Sequence, residues 1–305
     1  MSPLILILLG LTALYVGGEL LVKAAIGFGL RSGLSTMVIG LTLVAFGTSA
    51  PELAVSLDAA LLGSSDIALA NVVGSNMANI ALVLALTVLM KPMAIDSITL
   101  KRDLPVMLVA FLFFTLLLHD RSLDRVDGIL LIAALVIYVF YVVTHPSGQV
   151  DIETDEKNQT LFALSVFFVA GIAFLALGGH WLVAGAIVVA KQLGVSEAVI
   201  GLTVVAIGTS LPEITASVIA TVRGHAGLAL GNVVGSNIWN SFLVLGTTAS
   251  ITPVTAQSLS WHMLLVMIFV GMLLWVFCRS RYTLSRLEGV VLLSIFVAYQ
   301  GFLFT

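Results

Sequence analysis

The hexapeptide Gly47-Thr48-Ser49-Ala50-Pro51-Glu52 puts an ionisable carboxylate in the middle of a stretch otherwise fit only for hydrocarbon, and Gly208-Thr209-Ser210-Leu211-Pro212-Glu213 repeats it. The offset is 161 residues, and it holds without a gap from about Gly10/Gly171 to Pro92/Pro253. Between Val38–Asn79 and Val199–Asn240, about 24 of 42 positions are identical. The chain is a tandem duplication.

The content of each copy sets the fold. About ten apolar runs of roughly 17 to 25 residues occur, each long enough to cross a ~30 Å hydrocarbon core as a helix. In the first copy the expected helices are 3 to 23, 36 to 62, 67 to 90, 103 to 119 and 126 to 144; in the second, 160 to 191, 198 to 222, 227 to 251, 260 to 278 and 286 to 304. The runs are continuous rather than alternating, which argues against a β-barrel. With 60% hydrophobic residues, 10% charged ones and a mean hydropathy of +1.16, the chain reads as an all-α polytopic membrane protein with ten transmembrane helices. No basic n-region precedes the first run, so that helix is expected to be retained.

Five helices per copy is an odd number, so the second copy enters the membrane from the opposite side. The expected architecture is two inverted five-helix repeats, residues 1–144 and 160–305, joined by the linker 145–159. Asp151, Glu153, Asp155, Glu156 and Lys157 make that linker a solvated acidic hinge, and it lacks the ligand spacing and central glycine of a calcium loop. Ten of the 13 Lys and Arg residues, among them Lys23, Arg31, Lys101, Arg102, Arg223 and Arg279, fall on the side of the loops after the first, third, fifth, seventh and ninth segments. The positive-inside rule makes that side cytoplasmic, with both termini outside and the linker inside. A net charge of -3 with the charges in loops gives no basic patch for nucleic acid, and the one cysteine, Cys278, has no intrachain partner.

A charge near the bilayer centre costs at least ~2.5–3.5 kcal/mol on insertion scales, so Glu52 and Glu213 mark a functional site. Inversion about the midplane can bring them together, and two close carboxylates are tolerable only around a cation or a shared proton. Pro51 and Pro212 lack an N–H for the carbonyls of Gly47 and Gly208, so each helix is expected to kink there and free backbone oxygens, from Ala45 to Thr48 in the first copy. Thr48 and Ser49 share a helix face with Glu52. Asn71, Ser75 and Asn79 form a second polar stripe at i, i+4, i+8, repeated as Asn232, Ser236 and Asn240. Such hydroxyls and amides also serve helix packing in membranes. Every candidate ligand is an oxygen, which favours calcium, sodium or magnesium over zinc, copper or iron. Glu19 and Lys23, four residues apart, read as an interfacial pair, and the repeat replaces Glu19 with His180.

The motifs Gly47 to Glu52 with Gly74-Ser75-Asn76-Met77-Ala78-Asn79, and Gly208 to Glu213 with Gly235-Ser236-Asn237-Ile238-Trp239-Asn240, resemble the two α-repeats of the cation/calcium exchanger superfamily. Its compact prokaryotic sodium/calcium exchangers are similar over essentially the whole chain. The resemblance implies a secondary active antiporter that exchanges sodium for calcium by alternating access, placed in a prokaryotic inner membrane. It implies Glu52 and Glu213 as ligands shared by both ions, with Thr48 and Thr209 completing the calcium site through backbone oxygens. Ala45, Ser49 and Ser75 would help form one sodium site, and Ala206, Ser210 and Ser236 the other. Asn79 and Asn240 would face the middle of the cluster, although many relatives carry Asp at the latter position. No cofactor and no obligatory protein partner is implied; Ca²⁺ and Na⁺ are substrates, and a monomer suffices. The alternatives are a proton/calcium antiporter and a passive calcium or cation channel. Nothing in the sequence arranges catalytic side chains for an enzyme.

Overall fold

The structure, a computed structural model, describes residues 2–146, 159–194, 206–257 and 259–303. Most of the acidic linker and the expected start of the seventh segment lie outside them. The described helices are α1 (Pro3–Ser32), α2 (Thr36–Thr48), α3 (Ala50–Leu61), α4 (Ser65–Met90), α5 (Thr99–Asp120), α6 (Arg125–Thr144), α7 (Leu161–Gln192), α8 (Ala206–Thr209), α9 (Leu211–Val222), α10 (Ala226–Ile251), α11 (Trp261–Arg281) and α12 (Arg286–Leu303). Seven are long and apolar enough to cross a membrane, eight if the bent pair α2 and α3 counts as one span.

Three expectations need correction. The first helix does not stop at 23 but runs to Ser32, because Ala24, Ala25 and Ile26 are buried while Lys23 lies 5.1 Å above the Phe167 ring. Gly33, at φ 69°, then ends it. The second segment kinks beside Pro51 as expected, but the break at Ser49 splits it into two helices bent by 42° rather than one continuous helix. The fold is also not purely helical, since two-residue strands β1 (Met93–Ala94), β2 (Ser122–Leu123), β3 (Val254–Thr255) and β4 (Thr283–Leu284) pair as β1–β4 and β2–β3. Each follows or precedes a helix end, where pairing satisfies backbone groups that would otherwise lie at the apolar boundary.

Those strands display the internal symmetry directly. Adding the repeat offset to β1 gives β3 and adding it to β2 gives β4, so the pair Met93–Leu284 becomes Val254–Leu123 and the pair Ala94–Thr283 becomes Thr255–Ser122. The helices follow the same exchange. Gly128 of α6 packs on Gly246 and Ser250 of α10, and its counterpart Gly289 of α12 packs on Ala85 of α4. Each copy therefore closes on the other.

Burial sorts the helices into a centre and a rim. In α4 and α10, 78% and 89% of the most apolar stretch is buried, against 22–39% for the other candidate spans. The rim exposes large apolar side chains such as Leu8, Leu116, Phe140, Phe162, Val169 and Leu287, a belt that suits lipid rather than water. On the rim α1 and α7 run antiparallel in backbone contact. A Cβ on Gly10 would lie 2.6 Å from the Leu182 nitrogen, and one on Gly17 would lie 2.7 Å from that of Leu175. From the other side, Gly171 and Gly178 meet Leu21 and Leu14 at 2.8 and 2.7 Å. Small residues at that spacing let two smooth surfaces lie together without interlocking side chains.

Candidate functional site

Two helix breaks face each other at the centre. Ser49 separates α2 from α3 at φ −82°, ψ 1°, and Ser210 separates α8 from α9 at φ −86°, ψ 2°. Pro51 and Pro212 occupy the first turns of α3 and α9, where the missing N–H costs nothing. Glu52 and Glu213 stand beside them in the same turns, fully buried, where the positive ends of two helix dipoles favour negative charge. The two carboxylates are in electrostatic reach of each other, and the Thr48 hydroxyl lies beside Glu213 but outside hydrogen-bonding geometry.

Among the described residues, none of the four carboxylate oxygens has a hydrogen-bond partner. The hydroxyls of Ser49 and Ser210 and both amide heads of Asn79 and Asn240 share that condition. Buried polar atoms are nearly always satisfied, so six such side chains arranged as two repeat-related triplets need a common explanation. Asn79 and Asn240 each begin a π-helical turn, Asn79–Leu84 and Asn240–Val244. The widened turn shifts a side chain relative to an α-helical course, a distortion frequent at functional sites.

Around this inner set lies a hydrogen-bonded one. The Thr48 hydroxyl donates to the Asn232 side-chain Oδ1 at 3.0 Å and lies 3.3 Å from the Ser236 hydroxyl, joining the first copy to α10 of the second. The Asn232 amide donates to Ser217 at 2.9 Å, and in the first copy Asn71 donates to Ser56 at 2.9 Å and to the Glu52 carbonyl at 3.3 Å. Asn71 and Asn232 thus brace the glutamate-bearing helices. Ser56 and Ser217 escaped the sequence reading, though each stands four residues after its glutamate in both copies.

Ser75 and Ser236 are buried on the same faces as the asparagines. Thr209 closes α8 and lines the cleft described below. Ala45 is buried too, but the expectation that the proline frees its carbonyl does not hold. The Ser49 N–H still donates to it at 3.0 Å, because the break comes after Thr48, and the Thr48 hydroxyl approaches the same oxygen at 3.5 Å. In the second copy the Ser210 N–H donates to Ile207 at 3.1 Å instead. Ala206 opens α8, and its side chain lies outside the described residues. A cleft of about 480 Å³, lined by Pro51, Ala54, Ile172, His180, Thr209 and Pro212 among others, reaches this centre from one end.

The arrangement brings buried, unpartnered side-chain oxygens, two carboxyl groups among them, to broken or widened helices at the centre. The family model described as sodium/calcium exchanger protein matches residues 2–144 and 163–305. The chain belongs to the sodium/calcium exchanger family. It is 34% identical to the sodium/calcium exchanger MaX1 of Methanosarcina acetivorans, over 98% of each chain. It is 34% identical to the inner membrane protein YrbG of Escherichia coli, over 98% of this chain and 96% of that one. A solved structure of the sodium-calcium exchanger NCX_Mj, soaked with Na⁺ and Ca²⁺, superposes with a TM-score of 0.85 at 29% identity, covering 98% of both chains. This protein of the exchanger family is accordingly an integral membrane protein of a transporter fold, nearly all-helical.

Proposed function

We propose that this exchanger moves calcium against sodium by alternating access at a midplane site built on Glu52 and Glu213. The observation that carries the reading is the pair of buried, unpartnered carboxylates surrounded by unpartnered oxygens of Ser49, Asn79, Ser210 and Asn240. Buried charges are paired or bind metal, and an all-oxygen set suits a hard cation. One Ca²⁺ neutralises two carboxylates, as do two Na⁺. Sharing the same ligands makes the two loads exclusive, which is what couples their movements.

In this reading Thr48 and Thr209 add backbone oxygens to the calcium position. Ala45, Ser49 and Ser75 flank one sodium position, and Ala206, Ser210 and Ser236 the other. Asn79 and Asn240 line the middle as neutral amides. The architecture we propose is ten membrane-spanning segments as inverted halves, 1–144 and 160–305, with the linker 145–159 cytoplasmic and both termini outside. The cleft beside His180 then opens to the outside. A single copy of the chain carries the whole site, so no partner subunit is required. The names of MaX1 and NCX_Mj support sodium as counter-ion.

The test is ⁴⁵Ca²⁺ uptake into proteoliposomes preloaded with Na⁺, compared with K⁺ or choline and with an imposed pH gradient. Uptake that needs internal Na⁺ supports the antiport; uptake driven by the pH gradient alone would make this a proton/calcium antiporter. Passive flux indifferent to either would make it a channel. The flanking assignment has its own consequence. Ser75→Ala or Ser236→Ala removes a neutral ligand from one sodium position, so the Na⁺ concentration for half-maximal exchange should rise several-fold while that for Ca²⁺ moves less. Equal shifts for both ions would place these hydroxyls with calcium instead.

A further inference from the structure

One contact that the two copies do not share lies outside the proposed ion site. Glu19 of α1 forms an ion pair with Arg223, which caps α9. The repeat offset carries Glu19 to His180 of α7 and Arg223 to Leu62, which caps α3, and those two cannot form an ion bridge. The sequence reading paired Glu19 with Lys23, but Lys23 lies over the Phe167 ring. His225, the next ionisable group beyond Arg223, has its pKa lowered by burial and by the Arg223 charge, both of which disfavour its cation. Glu19 is left to Arg223.

The two ends of the protein differ accordingly. Near Glu19 and Arg223, α1 closes on α9: a Cβ on Gly18 would lie 2.5 Å from Ile219 and 2.9 Å from Thr215. Near His180, the corresponding helices α7 and α3 are parted by the cleft of about 480 Å³, lined by Ala54, Val55, Ala176 and His180. Ala54 is the repeat counterpart of Thr215. One structural position therefore faces a cleft at one end and a packed helix at the other.

We propose that the Glu19–Arg223 ion pair is a latch that holds the α1–α9 face shut and biases the resting protein toward the state open beside His180. The proposal rests on the alternating-access reading above, and it puts the latch on the cytoplasmic face. Arg223 is 51% exposed and Glu19 23%, so water screens the pair. A screened ion pair shifts an equilibrium by roughly two- to five-fold, enough to bias a gate and too little to jam it.

The experiment uses purified full-length protein with Cys278→Ser, which removes the chain's one cysteine. Thr215→Cys and Ala54→Cys report the two faces through their rates of reaction with a membrane-impermeant maleimide. Glu19→Gln should raise the Thr215→Cys rate by roughly two- to five-fold and lower that of Ala54→Cys. The exchanged pair, Glu19→Arg with Arg223→Glu, should restore both. Unchanged rates, or a rise at both sites, overturns the latch, since general loosening would open both faces. Wild-type reporters should also move oppositely between saturating Na⁺ and ion-free buffer. If they do not, alternating access falls and the latch with it; if they do while Glu19→Gln changes nothing, the latch alone falls.

Discussion

Glu52→Gln, and separately Glu213→Gln, is expected to lower sodium-dependent calcium uptake at least ~100-fold while leaving the protein inserted and monodisperse. Glutamine keeps the shape of the side chain and removes its charge. Both carboxylates are fully buried and unpartnered by protein, so in the proposed site each faces the ion with little water to screen it. Removing one partner of a buried charge interaction costs ~3–5 kcal/mol, and ~1.4 kcal/mol is a factor of ten. The symmetry adds a sharper condition: the two substitutions should be about equally severe. Near wild-type uptake in either would remove that glutamate from the ion path, and a severe effect in one alone would mean that the copies do different work. Proteoliposome flux at saturating Na⁺ decides both points.

The second large effect is expected far from any ligand. Gly171→Leu should reduce exchange more than ten-fold and lower the apparent melting temperature by several degrees. A Cβ at 171 meets the Leu21 nitrogen at 2.8 Å and the Gly17 carbonyl at 3.0 Å, both main-chain atoms with no rotamer to escape through. The helices α1 and α7 must then separate, and overpacking of this kind typically costs ~1–3 kcal/mol. We further propose that α1 and α7 slide as a pair against the core during the cycle, so a side chain that splays them apart should lower flux beyond what stability explains. Calcium binding, measured directly on the purified variant, should persist, since residue 171 touches no candidate ligand. Loss of binding with loss of flux would show that the seam holds the site together rather than moving past it.

Much of this was legible in the sequence because the repeat writes the site twice. Glu52 with Glu213, Ser49 with Ser210 and Asn79 with Asn240 were picked out as candidates by coincidence of motif and offset, and each carries buried side-chain atoms with no hydrogen-bond partner among the described residues. Seven of the expected spans, or eight with the bent pair, were legible for a simpler reason, the length an apolar run needs to cross a bilayer. What escaped detection depends on contacts between copies. The Thr48 bridge to Asn232, the β1–β4 and β2–β3 pairings and the Glu19–Arg223 pair all join residues more than 100 positions apart, and periodicity within one helix cannot register them. The proline argument failed at Ala45 for a local reason. It located the break correctly to the motif but two residues too early for that carbonyl, since Ser49 and not Gly47 leaves the helical path.

The clasp between the two copies bears on how the chain is made. Gly128 finds its seat on Gly246, and Ala85 is covered only when Gly289 arrives. Synthesis runs from the N-terminus, so α4, with its buried asparagines, must wait for some 200 further residues before its last neighbour exists. Neither copy can finish alone. The first half must spend the interval partly assembled, its polar stripe shielded by the insertion machinery or by provisional contacts. A fold built this way completes the packing of its first half only when the final helix is in place.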